Sequence, residues 1–157
     1  MKDYAMYMIP CNVNIKVKKL NEFAKLPTRG SEYAAGYDLY AATNQILDIT
    51  PHSTIKVGTG LSFELPEGTF AAIYARSGIA TKRGLRPANC TGICDSDYRG
   101  EYIVALHNDT DVIQSIEPGE RIAQMILLPY IKMNFNEVEE LSNTIRGNSG
   151  FGDSGKF

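Results

Sequence analysis

Apolar and polar residues alternate in short runs, with turn signals roughly every ten residues, and this period points away from a helical fold. Val13, Ile15 and Val17 alternate with Asn14, Lys16 and Lys18. Ile55 and Val57 flank Lys56, and Leu61, Phe63 and Leu65 flank Ser62 and Glu64. A repeat of two is the signature of a strand with one buried face. Pro66-Glu67-Gly68 marks a turn, and Thr69–Tyr74 resumes an extended run. Glu101–Leu106 reads as a further strand. Pro118-Gly119 leads into Arg121–Leu128, an apolar run that fits a strand or a buried helix. One short helix is predicted, from Ser77 towards Lys82. The pattern predicts an all-β sandwich, jelly roll or barrel. It contains no internal repeat, and one β-domain is expected over residues 1–145.

Composition narrows the function classes. A chain of 157 residues suffices for one domain with a real core, and a net charge of −2 gives no general attraction to nucleic acid or membrane. No apolar run approaches the ~20 residues of a membrane span, and the first residues lack a signal-peptide core. A cytoplasmic location is therefore expected. The three cysteines, Cys11, Cys90 and Cys94, are too few and too odd in number for a disulfide scaffold. His52 and His107 do not complete a four-ligand zinc site with them, so free thiols are expected.

The stretch Gly92-Ile93-Cys94-Asp95-Ser96-Asp97-Tyr98-Arg99-Gly100 is chemically the richest. Asp95 can activate a water, Tyr98 can cover a flat ligand and Arg99 can meet a phosphate. A surface turn would use similar residues. Other polar clusters raise the functional odds. Arg76-Ser77-Gly78 is expected at a strand-to-helix turn, where amides, a hydroxyl and a guanidinium can converge on an anion. Gln124 interrupts the apolar run Ile122–Leu128 and needs a partner or a ligand. Asp38 sits within Ala34–Ala42, another compact polar interruption.

The last segment, 146–157, holds four glycines in twelve residues and is expected to be a flexible lid. Arg146 and Phe151 are unusual choices for a solvated tail. Gly150–Lys156 has the glycine and lysine spacing of a Walker A loop. However, Phe157 stands where its Ser/Thr should be, and no helix follows.

Taken in order, five segments resemble the motifs of the trimeric dUTP diphosphatase (dUTPase) family. They are Ala35-Gly36-Tyr37-Asp38-Leu39, Ala75–Ala80, Gly92–Gly100, Gly119–Ile126 and Arg146–Gly155. The resemblance implies a distorted jelly roll of the β-clip kind, assembled as a homotrimer with the C-terminal tail closing each site. It implies magnesium-dependent hydrolysis of dUTP to dUMP and pyrophosphate, by water attack on the α-phosphorus. Such a reaction limits uracil incorporation into DNA and supplies dUMP for dTMP synthesis. By the same resemblance Asp95 is the base, and Asp38 assists through the water shell of an ion held by phosphates and waters, with no direct protein ligand. Arg76, Ser77, Gly78 and Gln124 would hold phosphates, and Arg146 the γ-phosphate. Asn89 and the main chain through Gly92, Ile93 and Cys94 to Asp95 would form a hairpin pairing with uracil. Tyr98 would wall off the 2′ position, and Phe151, followed by Gly152, would stack on the base. dUTP is the expected ligand, with neither nucleic acid nor membrane as partner.

The chain departs from the family pattern at Ala75, Cys94, His107 and Asp153. His107 is expected to be packed or hydrogen-bonded rather than catalytic. A dCTP deaminase of the same fold and a nucleotide-binding regulator on this scaffold are the alternatives.

Overall fold

The computed structural model describes residues 12–150. Strands β1 (Lys16–Lys19), β2 (Thr28–Arg29), β3 (Tyr37–Tyr40), β4 (Leu47–Ile49), β5 (Thr54–Gly58), β6 (Leu61–Glu64) and β7 (Thr69–Tyr74) precede one helix, α1 (Ser77–Arg83). Strands β8 (Leu85–Pro87), β9 (Gly92–Asp95), β10 (Ile103–Asn108), β11 (Gln114–Ile116) and β12 (Arg121–Pro129) follow it. The largest sheet has the order β2-β3-β12-β7-β9, and a second has the order β5-β10-β8. β1 pairs with β6 and β11 with β4, and all these pairings are antiparallel. The result is the expected all-β, distorted jelly roll. No helix among the described residues is long and apolar enough to cross a membrane.

The alternation predicted for the first strand holds at Ile15 and Val17, half-buried between exposed neighbours, but Val13 is exposed and hydrogen bonding begins only at Lys16. β6 breaks the alternation, because Leu61, Ser62 and Phe63 are all buried. Ser62 tolerates this because its hydroxyl donates to the Arg99 carbonyl at 2.7 Å, where the loop after β9 covers that face. Arg121–Leu128 is a strand, not a helix. It lies between β3 and β7, which explains why both of its faces are covered. The core is one cluster that includes Leu39, Ile49, Val57, Leu61, Phe63, Leu85, Leu106, Ile116 and Ile122.

Polar anchors fix the connections. Asn108 is fully buried and donates to the carbonyls of Ile49, Thr50 and Val112 at 3.0, 3.3 and 2.8 Å. Its own carbonyl accepts from the Thr110 amide and hydroxyl at 2.9 and 2.7 Å. At the end of α1, Lys82 and Arg83 suit the negative pole of the helix, and Gly84 closes it with φ of 61°. Arg83 then ties the helix to Glu120 and to the Ser115 carbonyl. The chain leaves the sheet at Pro129, and residues 130–150 carry no strand or helix.

Candidate active site

β7 organises the site. At its C-terminal end the chain passes through Ala75 and Arg76 into α1, as the Arg76-Ser77-Gly78 sequence predicts. Arg76 caps the helix in an extended conformation with no side-chain cap, so the first helical amides have no side-chain acceptor. Arg76 Nε donates to Asp38 Oδ1 at 2.7 Å, and Arg121 Nη1 donates to Asp38 Oδ2 at 3.2 Å. Asp38 is buried, so pairing with two guanidiniums offsets its desolvation. Gln124 lies opposite Asp38 in the β3–β12 pairing, and its Nε2 donates to the Ala75 carbonyl at 2.9 Å. This is the partner its place in an apolar run requires.

These residues line a cavity of about 360 Å³ that includes Gly36, Asp38, Arg76, Ser77, Arg121 and Gln124. Gly36 leaves room there for the Gln124 amide. A Cβ built on it would overlap the Gln124 side-chain oxygen and lie 3.2 Å from Cδ. Arg121 went unrecognised in the sequence. It is three residues from Gln124, a spacing that puts strand side chains on opposite faces. A β-bulge between Arg121 and Ala123 shifts the register and lets both line one cavity.

The second group lies at the other end of β7. β9 pairs with β7 with Phe70 opposite Asp95 and Ile73 opposite Gly92. A second cavity of about 250 Å³ is lined by Ile93, Cys94, Asp95, Tyr98, Glu101, Tyr102 and Ile103. Asp95 is exposed, and its carboxylate makes no hydrogen bond or ion pair among the described residues. The Tyr98 hydroxyl donates to the Glu101 carbonyl at 3.1 Å, and its ring lies 6.1 Å from that of Tyr102. The Tyr102 hydroxyl is buried beside the Cys94 thiol, with no partner in hydrogen-bond geometry. Burial pushes both groups up in pKa, so Cys94 is a poor nucleophile.

Gly92–Asp95 pairs with β7, and β8, which precedes it in the chain, belongs to a different sheet. Asn89 sits in a tight turn where Cys90 adopts φ of 61°, and this redirects the chain onto β7. Arg86 braces that turn, with Nη1 3.4 Å from the carbonyls of Pro87 and Ala88 and a two-point bond to Asp109. Gly92 packs closely on β7, where a Cβ would lie 3.2 Å from Ile73 Cβ. Arg99 Nη1 donates to the carbonyls of Ser96 and Tyr98 at 2.7 and 3.1 Å and braces its own turn, with the side chain otherwise exposed.

Gly78, Asn89, Gly92 and Arg146 line neither cavity. Arg146 is exposed and donates to the Ser149 carbonyl at 3.0 Å. Phe151 and Gly152 lie outside the described residues, as do Asp153 and Cys11. His107 is hydrogen-bonded, as expected, with Nδ1 2.9 Å from the Thr54 hydroxyl and Nε2 3.4 Å from Asp109.

Comparison with known proteins accounts for this geometry. The dUTPase family pattern matches residues 22–155. The chain belongs to the dUTPase family. It is 45% identical over 143 residues to the deoxyuridine 5'-triphosphate nucleotidohydrolase of Hydrogenobaculum sp. (strain Y04AAS1), covering 91% of this chain and 99% of that one. It is 44% identical to the rice (Oryza sativa subsp. japonica) protein of the same name, covering 90% of this chain and 80% of that one. Among solved structures, the Staphylococcus bacteriophage 80alpha dUTPase with dUPNHPP superposes with a TM-score of 0.84 at 28% identity, covering 92% of this chain and 99% of that one.

Proposed function

We propose that this chain hydrolyses dUTP to dUMP and pyrophosphate in a site completed between copies of itself, with Asp95 as general base. Hydrolysis of dUTP is the reaction named for its relatives. The observation that carries the shared site is the length of β7. Asp95 lies opposite Phe70, and Arg76 is six residues further on, two past the end of β7 and still extended, so the two stand roughly 20 Å apart along the chain. A base that activates water must lie within ~3 Å of it. One nucleotide cannot therefore meet both groups of a single chain at its α-phosphorus. A neighbouring copy that brings its Arg76 end against this copy's Asp95 end resolves the mismatch.

Each half has its work. The edge of β9 that faces away from β7 leaves main-chain donors and acceptors for the edge of uracil, with Asn89 at the adjoining turn. Tyr98 walls the sugar. Arg76, Ser77, Gly78 and Gln124 bind phosphates. Asp95, exposed and unpaired, takes the proton of the attacking water, help typically worth ~10²–10⁴-fold. The rest of the acceleration comes from positioning and charge neutralisation.

Magnesium fits as part of the substrate. Among the described residues no group of three or more Asp, Glu, His or Cys is placed to hold an ion. Both Asp38 oxygens already accept from arginine, so the donor set suits an ion that arrives on phosphate oxygens and keeps its waters. Asp38 has lone pairs left for those waters.

A homotrimer is the assembly that fits the family. Ile131, Met133, Phe135, Leu141 and Ile145 are 87, 69, 89, 86 and 110% exposed in the isolated chain, too much apolar surface for a segment meant to face water. Arg146, Phe151 and Gly152 close the site from that arm. The test is pyrophosphate release from dUTP, with ammonia release from dCTP as control. Asp95→Asn should keep dUTP binding and lose at least ~10²-fold in kcat. Wild-type turnover in that variant, from a protein that sediments as a monomer, refutes the scheme.

A further inference from the structure

We propose that Arg121 is a second phosphate-binding guanidinium of this site, pre-oriented by Asp38; this rests on the dUTP-hydrolase reading. Arg121 and Arg76 grip opposite oxygens of Asp38, at 3.2 and 2.7 Å. Asp38 is almost covered, with 12% of its side chain exposed, whereas the Arg121 side chain is 50% exposed and lines the same cavity as Arg76, Ser77 and Gln124. A guanidinium carries five N–H donors in a fixed fork. Arg121 spends one on Asp38, and no other acceptor among the described residues takes the rest.

Charge and local geometry support the same role. Two arginines and one carboxylate leave a net positive charge on the cavity wall, the sign a triphosphate needs. If Arg121 served only to neutralise Asp38, Arg76 alone would suffice, and the bulge between Arg121 and Ala123 would have no purpose. The bulge turns Arg121 onto the face of Gln124, where its unused donors border the cavity. The carboxylate acts as a clasp that holds two guanidiniums at a set spacing before the ligand arrives, which reduces the ordering cost of binding. The part of the ligand recognised is the polyphosphate and not the base, because Arg121 shares no cavity with β9.

The test uses the full chain and two probes, the α,β-imido analogue of dUTP and dUMP, measured by calorimetry at low and moderate salt. Arg121→Ala should weaken the imido analogue at least ~10-fold while dUMP changes less than about twofold, because the loss follows phosphate number. The loss should shrink as salt rises. Arg121→Lys, which keeps the charge and loses the fork, should fall between wild type and Arg121→Ala. It also serves if Arg121→Ala does not fold. Equal losses for both ligands, or none for the imido analogue, overturn the proposal. Pyrophosphate release by the wild-type protein is scored separately. Its absence refutes the dUTP-hydrolase reading, whereas the ratio between the two ligands speaks only to Arg121.

Discussion

Gly36→Ala should damage the phosphate cavity without damaging the fold. The backbone at Gly36 is not in the left-handed region, so alanine is conformationally allowed there and gains up to about 1 kcal/mol from a less disordered unfolded chain. The new Cβ, however, would occupy the space of the Gln124 side-chain oxygen, while Gln124 Cβ lies at an ordinary 3.5 Å. The amide end must therefore turn away, and it takes Nε2 off the Ala75 carbonyl, now 2.9 Å distant. One such hydrogen bond is worth about 0.5–1.5 kcal/mol, which corresponds to roughly 2–12-fold in an equilibrium or rate ratio. Steady-state pyrophosphate release should show kcat/KM for dUTP down by about 3–10-fold, with Tm within ~3 °C of wild type. The decisive arm is the double variant. Once Gln124→Ala has removed the amide, nothing is left for the new methyl to displace. Gly36→Ala should then cost no further activity, and strong non-additivity is expected. Additive losses, or full activity in Gly36→Ala alone, would refute the reasoning.

Three further outcomes follow from particular contacts. Tyr98→Ala should narrow the gap between dUTP and UTP in kcat/KM; an unchanged ratio assigns the 2′ position to another group. Asn108→Ala breaks five hydrogen bonds in a buried setting and should lower the stability read from urea midpoints by about 3 kcal/mol or more, with the assembled protein's substrate preference unchanged. The hydrogen bond from Arg86 holds the Asp109 carboxyl below its ordinary value of 3.8. A depressed carboxylate pKa contributes stability above the unfolded value and loses it as pH falls through the folded one, so Asp109→Asn should flatten the decline of the urea midpoint on the acid side and leave neutral pH little changed.

Thr54–Gly58 was legible because Ile55 and Val57 alternate with Lys56, and Thr69–Tyr74 because it follows a turn signal, whereas Arg121–Pro129 stayed open between strand and buried helix because a strand covered on both faces loses its alternation. Thr28–Arg29, Leu47–Ile49, Leu85–Pro87 and Gln114–Ile116 are two or three residues long and leave no period to read. The site was legible where chemistry is local, as in the run Asp95 to Tyr98. It was illegible where backbone irregularity decides. The bulge that aims Arg121 has no sequence mark of its own. The left-handed turn at Cys90 falls on a residue that seldom adopts it and has no mark in the sequence. The bracing of Arg99 Nη1 on the Ser96 and Tyr98 carbonyls was likewise hidden, because main-chain acceptors are not displayed by a sequence.

Within one chain the sheet holds Asp95 and Arg76 apart, which is the ground for the proposed shared site. Asp95 pairs near the start of the six-residue β7 and Arg76 follows its end, while β9 packs closely beside it, with Gly92 against Ile73. Shortening β7 would bring Asp95 towards Arg76 but would remove Ala71 and Ile73 from the core. Exchange between copies leaves the core intact. The segment after Pro129 has the reach for it. From Pro129 to Arg146 is seventeen residues, up to roughly 55 Å when extended, against a folded domain ~30 Å across. A segment of that length with apolar residues at 131, 133, 135, 138 and 141 can cross a neighbour, bury its side chains on the way, and deliver Arg146 to a site remote from its own sheet. The reach of this segment supports the proposed exchange between copies, and a chain cut after Pro129 should lose both its activity and its assembly.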